Sequence, residues 1–548
     1  MNETPVLVVG GGPVGLTFAL FLSNLGIKSV VVNERTQTTT HPKLDVVNCR
    51  SMEIFRQLGL AEAIRDAGNP RSANQYSAYA ASAAGPYYSV MADRHLIYAP
   101  VDQANAAIRA CTDGSLPLET MQRIAQMHLE PVLLATAEAD PNIDVRFGHR
   151  LFGFEQDDSG VTALVHEVAS GAAIQFRADY LVGCDGPASR VRNFLNIDYD
   201  ATWDLLGELY IVHIRSDEIA PLYPNSVPYW HTWLSRPGNS GLLVSPDASR
   251  NDYVIHRPYP PRGDETIDAI VEAAVGRKVN YELVQHGGWR PQFLVADAYG
   301  RGRVWMAGDA VHQYMPTGGL GMNTGVAEAH NLAWKIAARL QGWGGERLVA
   351  SYDAERLPVA RRNRDHVKQN AACVFEAQFP RTAALLDDGP AGEDNRAAMA
   401  RAFETKISRL YESFGVEIGY SYAGSPIVAA EPGAEPPDST ESYFPTTRPG
   451  ARLPSAFAAD GRAVFDLLDG RGFTLLATQA VDEAAMAPLV AEARRVGMPL
   501  KVVVLNEPAL AALYEAALLL IRPDQHVAWR GSALPDDVAW LVDLVRGA

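Results

Sequence analysis

The chain has 548 residues, 47% of them hydrophobic and 20% charged, with a formal net charge of −16. This length exceeds what one hydrophobic core organises, and the composition is that of a globular protein. The acidic balance, with no basic run, argues against nucleic acid and anionic membranes as partners.

No stretch reaches the ~18 apolar residues of a membrane span, and no basic, cleavable leader precedes the first strand. Cys49, Cys111, Cys184 and Cys373 lie far apart without metal-ligand spacing. They read as reduced thiols of a cytoplasmic protein with no metal site.

In chain order, Val6 to Val9 is a short apolar strand, followed by Gly10-Gly11-Gly12-Pro13-Val14-Gly15 and an amphipathic helix through about Leu25. Ser29 to Asn33 is a second strand, ending at Glu34-Arg35. Strand, G-x-G-x-x-G, helix, strand and acid form a dinucleotide-binding order: the glycines let a diphosphate approach the backbone at a helix N-terminus. Glu34 lies 24 residues after Gly10, close to the spacing at which a carboxylate reaches a ribose hydroxyl. An acid there disfavours a 2′-phosphate, so FAD or NAD suits this site better than NADP.

Ser51 to Leu58 and Ile124 to Ala139 read as helices, and Val161 to Glu167 and Ala173 to Val182 as strands. The last of these runs into Gly183-Cys184-Asp185-Gly186, a second strand that ends in an acid–glycine pair. From about Trp203 to Trp289 aromatic residues crowd together: Trp203, Tyr210, Tyr223, Tyr229, Trp230, Trp233, Tyr253, Tyr259, Tyr281 and Trp289. Such density suits a sheet that covers an apolar ligand, and equally an aromatic core.

The richest stretch is Val304 to His312, an apolar strand running into Gly308-Asp309, continued by Pro316-Thr317-Gly318-Gly319-Leu320-Gly321-Met322-Asn323. A helical pattern follows from about Val326 to Leu340. Gly308 permits close approach of a ligand, Asp309 can accept from sugar hydroxyls, and the N–H groups of the turn and helix start face any negative charge placed there. A flavin needs both features, glycines for its diphosphate and a positive dipole beside its reduced ring.

Helical patterns return at Leu348 to about Phe375 and Arg396 to Phe414. Seven prolines from Pro426 to Pro454 read as a surface linker. Beyond it, strands at Phe473 to Ala477, Leu500 to Leu505 and Ala516 to Ile521 alternate with helices at about Ala484 to Val496 and Asp536 to Arg546, a small separate α/β unit.

Taken together, Gly10, Gly12 and Gly15 with Glu34, then Asp185-Gly186 with Ser189 and Arg192, then Gly308-Asp309 with its glycine-rich turn resemble the single-component FAD-dependent aromatic hydroxylases, the class A flavoprotein monooxygenases. His41-Pro42-Lys43, the Asn48 to Glu53 run, Arg123 and Gln126 also look like that family's flavin-side positions. The last hundred residues resemble the thioredoxin-like C-terminal domain of its phenol and polyketide hydroxylase branches, carried here by Arg448-Pro449-Gly450 and the Ile521 to Arg530 run. No cysteine follows Cys373, which excludes thiol–disulfide chemistry there and leaves stability or a subunit contact as its role.

The resemblance implies an α/β architecture of three parts. A discontinuous Rossmann-like FAD-binding domain would comprise residues 1–75, 101–192 and 285–375, and a mixed-sheet substrate domain 76–100 and 193–284. A helical segment (376–425) and the proline-rich linker (426–455) would lead to the thioredoxin-like domain at 456–548.

By the same resemblance Gly10, Gly12, Pro13, Gly15, Glu34 and Arg35 would hold the ADP half of FAD. Arg50, Arg123 and Gln126 would lie along the diphosphate and ribityl chain. Asp185 and Gly186 would support the diphosphate, Gly308 and Asp309 the ribityl chain, and Pro316 with Gly319 to Asn323 the ring. NADH or NADPH would act as a transient reductant, and a homodimer is usual in such families. Three positions depart from the family pattern: Lys43 replaces an Arg and loses its fork, Glu328 replaces an Asp, and Gln313-Tyr314-Met315 replaces a run that usually contains Pro.

The implied reaction takes O2 and a small phenolic substrate through a C4a-hydroperoxyflavin. Ionisation makes a phenol a far better nucleophile, yet its free pKa is ~10, so the site must help remove the proton. Asp45, five residues before Arg50, matches an acid proposed for that task in phenol hydroxylases. Tyr229 and His231 are further catalytic candidates, with Tyr210 and Tyr253 as alternates, and Pro316 borders the reacting edge. Arg215, Arg236, Arg250 and Arg257 are available for an acidic substrate, and His312 for a structural hydrogen bond near the flavin. Other outcomes on the same fold are Baeyer–Villiger or epoxidising attack on a polyketide or antibiotic, or a flavoprotein that does not hydroxylate.

Overall fold

β1 (Asn2–Val9) is apolar on both faces because it runs through the middle of a parallel sheet. β2 (Ser29–Asn33) pairs with it on one side and the strand Ala173–Gly183 on the other. Ile143–Phe147 continues the sheet beyond β2, and Val304–Met306 continues it beyond Ala173–Gly183, all parallel. Strand order therefore reverses its direction of growth at β1. The carboxyl ends of these strands open on one crevice, the place where such sheets bind ligands. The computed structural model describes residues 2–92, 96, 99–200, 207–236, 239–247, 249–378 and 383–548; Trp203 of the aromatic-rich segment lies outside them.

α1 (Pro13–Asn24) is buried at nearly every position rather than amphipathic. It is sandwiched between the sheet and the helix Leu320–Leu340, so it has no wet face to make polar. That second helix begins at Leu320, ahead of the expected Val326, although glycine weakens a helix interior. Gly325 explains the exception: a Cβ there would stand 2.6 Å from Val14 Cγ2 and 2.9 Å from Gly308 Cα. Only a glycine lets the two helix starts and the Gly308 turn pack this closely.

The second sheet has the order Glu282–Trp289, Leu209–Arg215, Asp252–Arg257, Asn239–Asp247, His231–Arg236, Ser77–Ala80 and Tyr87–Met91. It is mixed, since His231–Arg236 runs parallel to Ser77–Ala80 while its other pairs are antiparallel. One face packs on the helix Ile267–Val275 around Leu234, Leu243 and Ile255. The other carries Trp233, Val244 and Val254 against Met399, Phe403 and Tyr411 of the helical segment. That segment is a helix over Pro390–Lys406 and a short turn over Ser408–Leu410, where the pattern suggested one helix from Arg396 to Phe414.

The C-terminal sheet has the order Leu500–Val504, Phe473–Ala477, Leu518–Ile521 and Val527–Gly531, with one parallel and two antiparallel pairings and flanking helices, a thioredoxin-like arrangement. Its last strand and the helix Pro508–Tyr514 were not anticipated. The proline-rich stretch lies along the C-terminal unit. Ala429 N–H donates to Ala528 O at 2.9 Å, Gly450 N–H to Val527 O at 2.7 Å and Leu453 N–H to Gln525 O at 3.0 Å, so it is stitched onto this unit.

Two buried ionic clusters join the C-terminal unit to the rest. Glu53, on α2 (Cys49–Gln57), accepts from Arg50 Nη1 at 3.0 Å and from Arg452 Nε at 2.9 Å. Glu355 accepts from Lys335 Nζ and Arg522 Nη1, both at 2.6 Å, and Arg522 also pairs with Asp524. Among the described residues no helix is long and apolar enough to cross a membrane.

Candidate flavin and substrate site

A trench of about 820 Å³ lies along the crevice at the carboxyl ends of the sheet strands. Its floor is Gly10-Gly11-Gly12-Pro13, and Glu34 and Arg35 stand at the end of β2. The three motif glycines have different reasons to be glycine. Gly10 has φ +114°, and a Cβ there would meet Cys184 O at 2.1 Å. A Cβ on Gly15 would meet Gly10 O at 1.9 Å, so Gly15 sets the closeness of helix to turn. A Cβ on Gly12 would meet nothing within 4 Å; it would project into the trench, where a diphosphate must approach.

The acids of the other two motifs reach the same trench. Asp185 Oδ2 accepts from Arg190 N–H at 2.7 Å and Val191 N–H at 3.2 Å, while its Oδ1 is buried with no protein partner. Burial raises the Asp185 carboxyl in spite of these bonds. An unsatisfied buried acceptor on a ligand-sized trench fits a donor from the ligand, such as a sugar hydroxyl. Asp309 faces the trench as well; burial pushes its carboxyl up, opposed by His312 and Lys43. Lys43 lines the trench, its ammonium lowered by burial and by Arg35, against the pull of Glu130 and Asp309.

At the far end, Pro316, Gly319, Gly321 and Met322 form the wall where the helix Leu320–Leu340 starts. Gly318 and Gly319 have φ of +90° and +65°, so the turn needs glycine at both positions. Glu328 braces it from behind: its Oε2 accepts from Gly308 N–H at 2.8 Å and lies 3.2 Å from His312 Nε2. His312 stacks on Tyr314 with ring centroids 4.6 Å apart. Orphaned Asp185 Oδ1, the open Gly12 position and two helix N-termini on one trench together suit FAD, with Glu34, Asp309 and the Gly319 turn as its expected holders.

Several expected contacts lie elsewhere. Arg50 is buried in the junction with the C-terminal unit, donating to Gln525 Oε1 at 2.6 Å and Asp524 O at 2.9 Å. It does not border the trench, because α2 turns that face toward the distant chain end. Arg123 lies over the Trp230 ring at 5.1 Å and donates to Ser245 O, so it points to the second sheet and not to the Gly10–Pro13 floor. Gln126 does line the trench, bonded to Glu130 Oε1 at 2.6 Å. Leu320 packs inward with Phe293, Met315 and Val367. Asn323 spends its amide on the protein: Oδ1 accepts from Asn48 N–H at 3.0 Å, and Nδ2 donates to Gly319 O at 2.7 Å and Val46 O at 3.2 Å.

Among the catalytic candidates, Tyr229 stands edge-on to Tyr87 and Tyr223, each at 5.5 Å, in an aromatic cluster off the trench. Tyr210 bonds His286 at 2.6 Å, and Tyr253 is core. Arg215 is paired with Asp252 at 2.9 Å, Arg250 with Asp247 at 3.2 Å and Arg257 with Glu265 at 2.9 Å. These three, and Arg236, stand outside the trench lining, where Trp289, Arg290 and Gln292 stand instead.

Asp45 is on the trench wall. Trp230 Nε1 donates to its Oδ2 at 2.7 Å, and His231 Nε2 stands 3.7 Å from the same oxygen. Burial pushes the carboxyl up, but His231, Trp230 and the Arg123 charge outweigh it and hold Asp45 below the usual carboxylate range. Behind His231 lies Tyr411, whose hydroxyl is 2.6 Å from His231 Nδ1. Sequence reasoning missed Tyr411 because nothing in a helical pattern marks which of its residues meets a sheet 180 positions away.

Comparison with known proteins gives the same picture. Residues 3–367 match the FAD binding domain family, and residues 446–546 match the C-terminal family of aromatic-ring hydroxylases. A putative polyketide hydroxylase of Streptomyces halstedii is 31% identical over 97% of this chain and 94% of its own. Phenol 2-monooxygenase of a Pseudomonas species (strain EST1001) is 28% identical over 100% of this chain and 93% of its own. The solved structure of the rebeccamycin biosynthetic enzyme RebC with reduced flavin has a TM-score of 0.87 at 34% identity, covering 100% of this chain and 99% of that one. With the three motifs on one trench and matches along the whole length, the chain belongs to the FAD-dependent aromatic-ring hydroxylases, the single-component flavoprotein monooxygenases.

Proposed function

We propose that this monooxygenase hydroxylates a phenolic ring at the expense of NAD(P)H and O2, with Asp45 as acceptor of the substrate's hydroxyl proton. The observation that carries this reading is the position of Asp45: a carboxylate held ionised, on the wall of the trench that also carries the Gly319 turn. When bound, FAD supplies the redox and oxygen-transfer chemistry.

The chain's own residues bind, orient and shield. Gly10 to Pro13 and Glu34 would anchor the dinucleotide end, and the start of the helix Leu320–Leu340 would place its positive dipole at the ring end. Asp45 would accept the hydrogen bond of the substrate hydroxyl. A carboxylate this acidic is a weak base, so it takes the proton as the ring loses electron density in the attack, not before. Trp289, Tyr314 and Pro316 on the trench lining would wall the aromatic ring and keep water out.

The test is NAD(P)H oxidation by FAD-loaded protein across a panel of phenols, with hydrogen peroxide counted in the same vials. Fast oxidation with hydroxylated product and little peroxide supports the reading. Oxidation that ends wholly in peroxide, or a product that gains oxygen by ring expansion or epoxidation, overturns it.

A further inference from the structure

The hydrogen bonds around Tyr411 have a direction. Ser77 Oγ donates to the Tyr411 hydroxyl oxygen at 2.9 Å, and Trp233 Nε1 donates to it at 3.4 Å. A phenol oxygen carries one hydrogen of its own. With Ser77 and Trp233 donating to its oxygen, the Tyr411 hydrogen is available to His231 Nδ1, 2.6 Å away. His231 Nδ1 is then an acceptor, which leaves the ring hydrogen on Nε2, the nitrogen 3.7 Å from Asp45 Oδ2. That separation is longer than a hydrogen bond but within reach of a charge–dipole contact. Trp230 stacks on the imidazole with centroids 4.4 Å apart and donates to the same Asp45 oxygen. Every donor in the series points toward Asp45.

We infer that Tyr411 and His231 are positioning residues for Asp45: Tyr411 locks His231 in its Nε2–H tautomer, and that N–H faces the Asp45 carboxylate and keeps it aimed at the substrate hydroxyl. The inference deepens the reading of Asp45 as proton acceptor and rests on it. The series is not an exit route for the proton, because an outward hop would have to reverse each bond.

The other groups that face Asp45 do not replace this device. Arg123, from the short strand Gln122–Arg123, contributes a charge but no bond to the carboxylate; burial lowers it to about 10, so it is charged at neutral pH. His256, from the strand Asp252–Arg257, lies near Asp45, His231 and His41 and is held by burial to about 4. His41 is likewise lowered to about 4 by burial and by His213 and Lys43. Both are neutral above that pH. His231 itself is lowered by burial, against the pull of Asp45. Tyr411 is raised by burial, which keeps its proton in place.

The experiment uses the full FAD-loaded chain. Nitrogen-15 histidine spectra, with the His231 signals assigned by their loss in His231→Gln, report the tautomer without any substrate. The Nε2–H form in the wild type, and its conversion to a mixture in Tyr411→Phe, are expected; an Nδ1–H form in the wild type overturns the inference.

The second arm measures product formed per NAD(P)H consumed, with phenol as probe. Removal of the substrate proton belongs to the attack step, so loss of positioning lowers this ratio while oxidation continues as peroxide. A merely structural loss lowers both. His231→Ala and Tyr411→Phe are expected to lower the ratio several-fold, with recovery as pH rises toward the ~10 of free phenol. His231→Gln keeps an N–H toward Asp45 and restores the ratio. If Asp45→Asn lowers the ratio but His231→Ala and Tyr411→Phe do not, the inference fails while the reading of Asp45 stands. If Asp45→Asn itself leaves the ratio unchanged, the underlying reading fails.

Discussion

Asn48 gives its backbone N–H to Asn323 Oδ1 at 3.0 Å, joining the start of α2 to the start of the helix Leu320–Leu340. Asn48 also caps α2 by accepting from Ser51 N–H at 2.9 Å, and Asn323 Nδ2 closes the Gly319 turn. One buried pair thus sets the loop of Asp45 against the wall expected to hold the flavin ring.

Asn323→Asp should therefore be worse than Asn323→Ala. Aspartate would turn an oxygen toward the carbonyls of Gly319 and Val46, which now receive the amide N–H. Alanine leaves unsatisfied partners at a cost of about 1–3 kcal/mol, and the buried charge adds to it. Thermal melting and titration of apoprotein with FAD check the order; equal melting temperatures for both variants would refute it.

The motif glycines should separate folding from cofactor binding. Gly12→Ala meets open trench, so the apoprotein should melt as the wild type does while FAD affinity falls roughly tenfold, the equivalent of about 1.4 kcal/mol. Gly15→Ala must push against Gly10 O and should lower the melting temperature of the apoprotein itself. Flavin fluorescence quenching and calorimetry measure the two effects.

Glu53→Gln should loosen the C-terminal unit. It would leave Arg50 and Arg452 buried without their shared counter-charge, a loss of about 3–5 kcal/mol. The expected outcome is a melting temperature several degrees lower and faster cleavage by protease within residues 426–455, read by mass spectrometry of the fragments. Wild-type behaviour in both would mean that the ion cluster contributes little.

Stability should fall in mild acid. His526 stays neutral in the fold: burial lowers it to about 4, against the pull of Asp524. An unfolded imidazole keeps a pKa of ~6.5, so between about 6.5 and 4 the unfolded chain takes a proton that the fold refuses. This contribution is complete above 6.5 and is lost as pH drops toward 4; going from pH 7 to pH 5 costs on the order of 2 kcal/mol for His526 alone. His256 and His366, each held to about 4 chiefly by burial, act with the same sign. Melting curves at pH 7, 6 and 5 check the trend, and His526→Gln should flatten it.

Residue type and local spacing alone determined the three motifs of this protein. Gly10, Gly12 and Gly15, the acids after their strands and the Pro316 to Asn323 turn could be read in order because each answers a backbone requirement satisfied within a few residues. Their convergence on one trench follows from parallel strands whose carboxyl ends all face the same way. Side-chain direction was a different matter. Arg50 and Arg123 looked like ligands of the flavin chain, yet α2 turns the first into the C-terminal junction and Trp230 takes the second. Tyr411 carried no signal at all. What packs against a helix face or a strand edge from hundreds of residues away decides whether a polar group meets a ligand, a partner charge or a hydrogen-bond series, and only the tertiary structure holds that information.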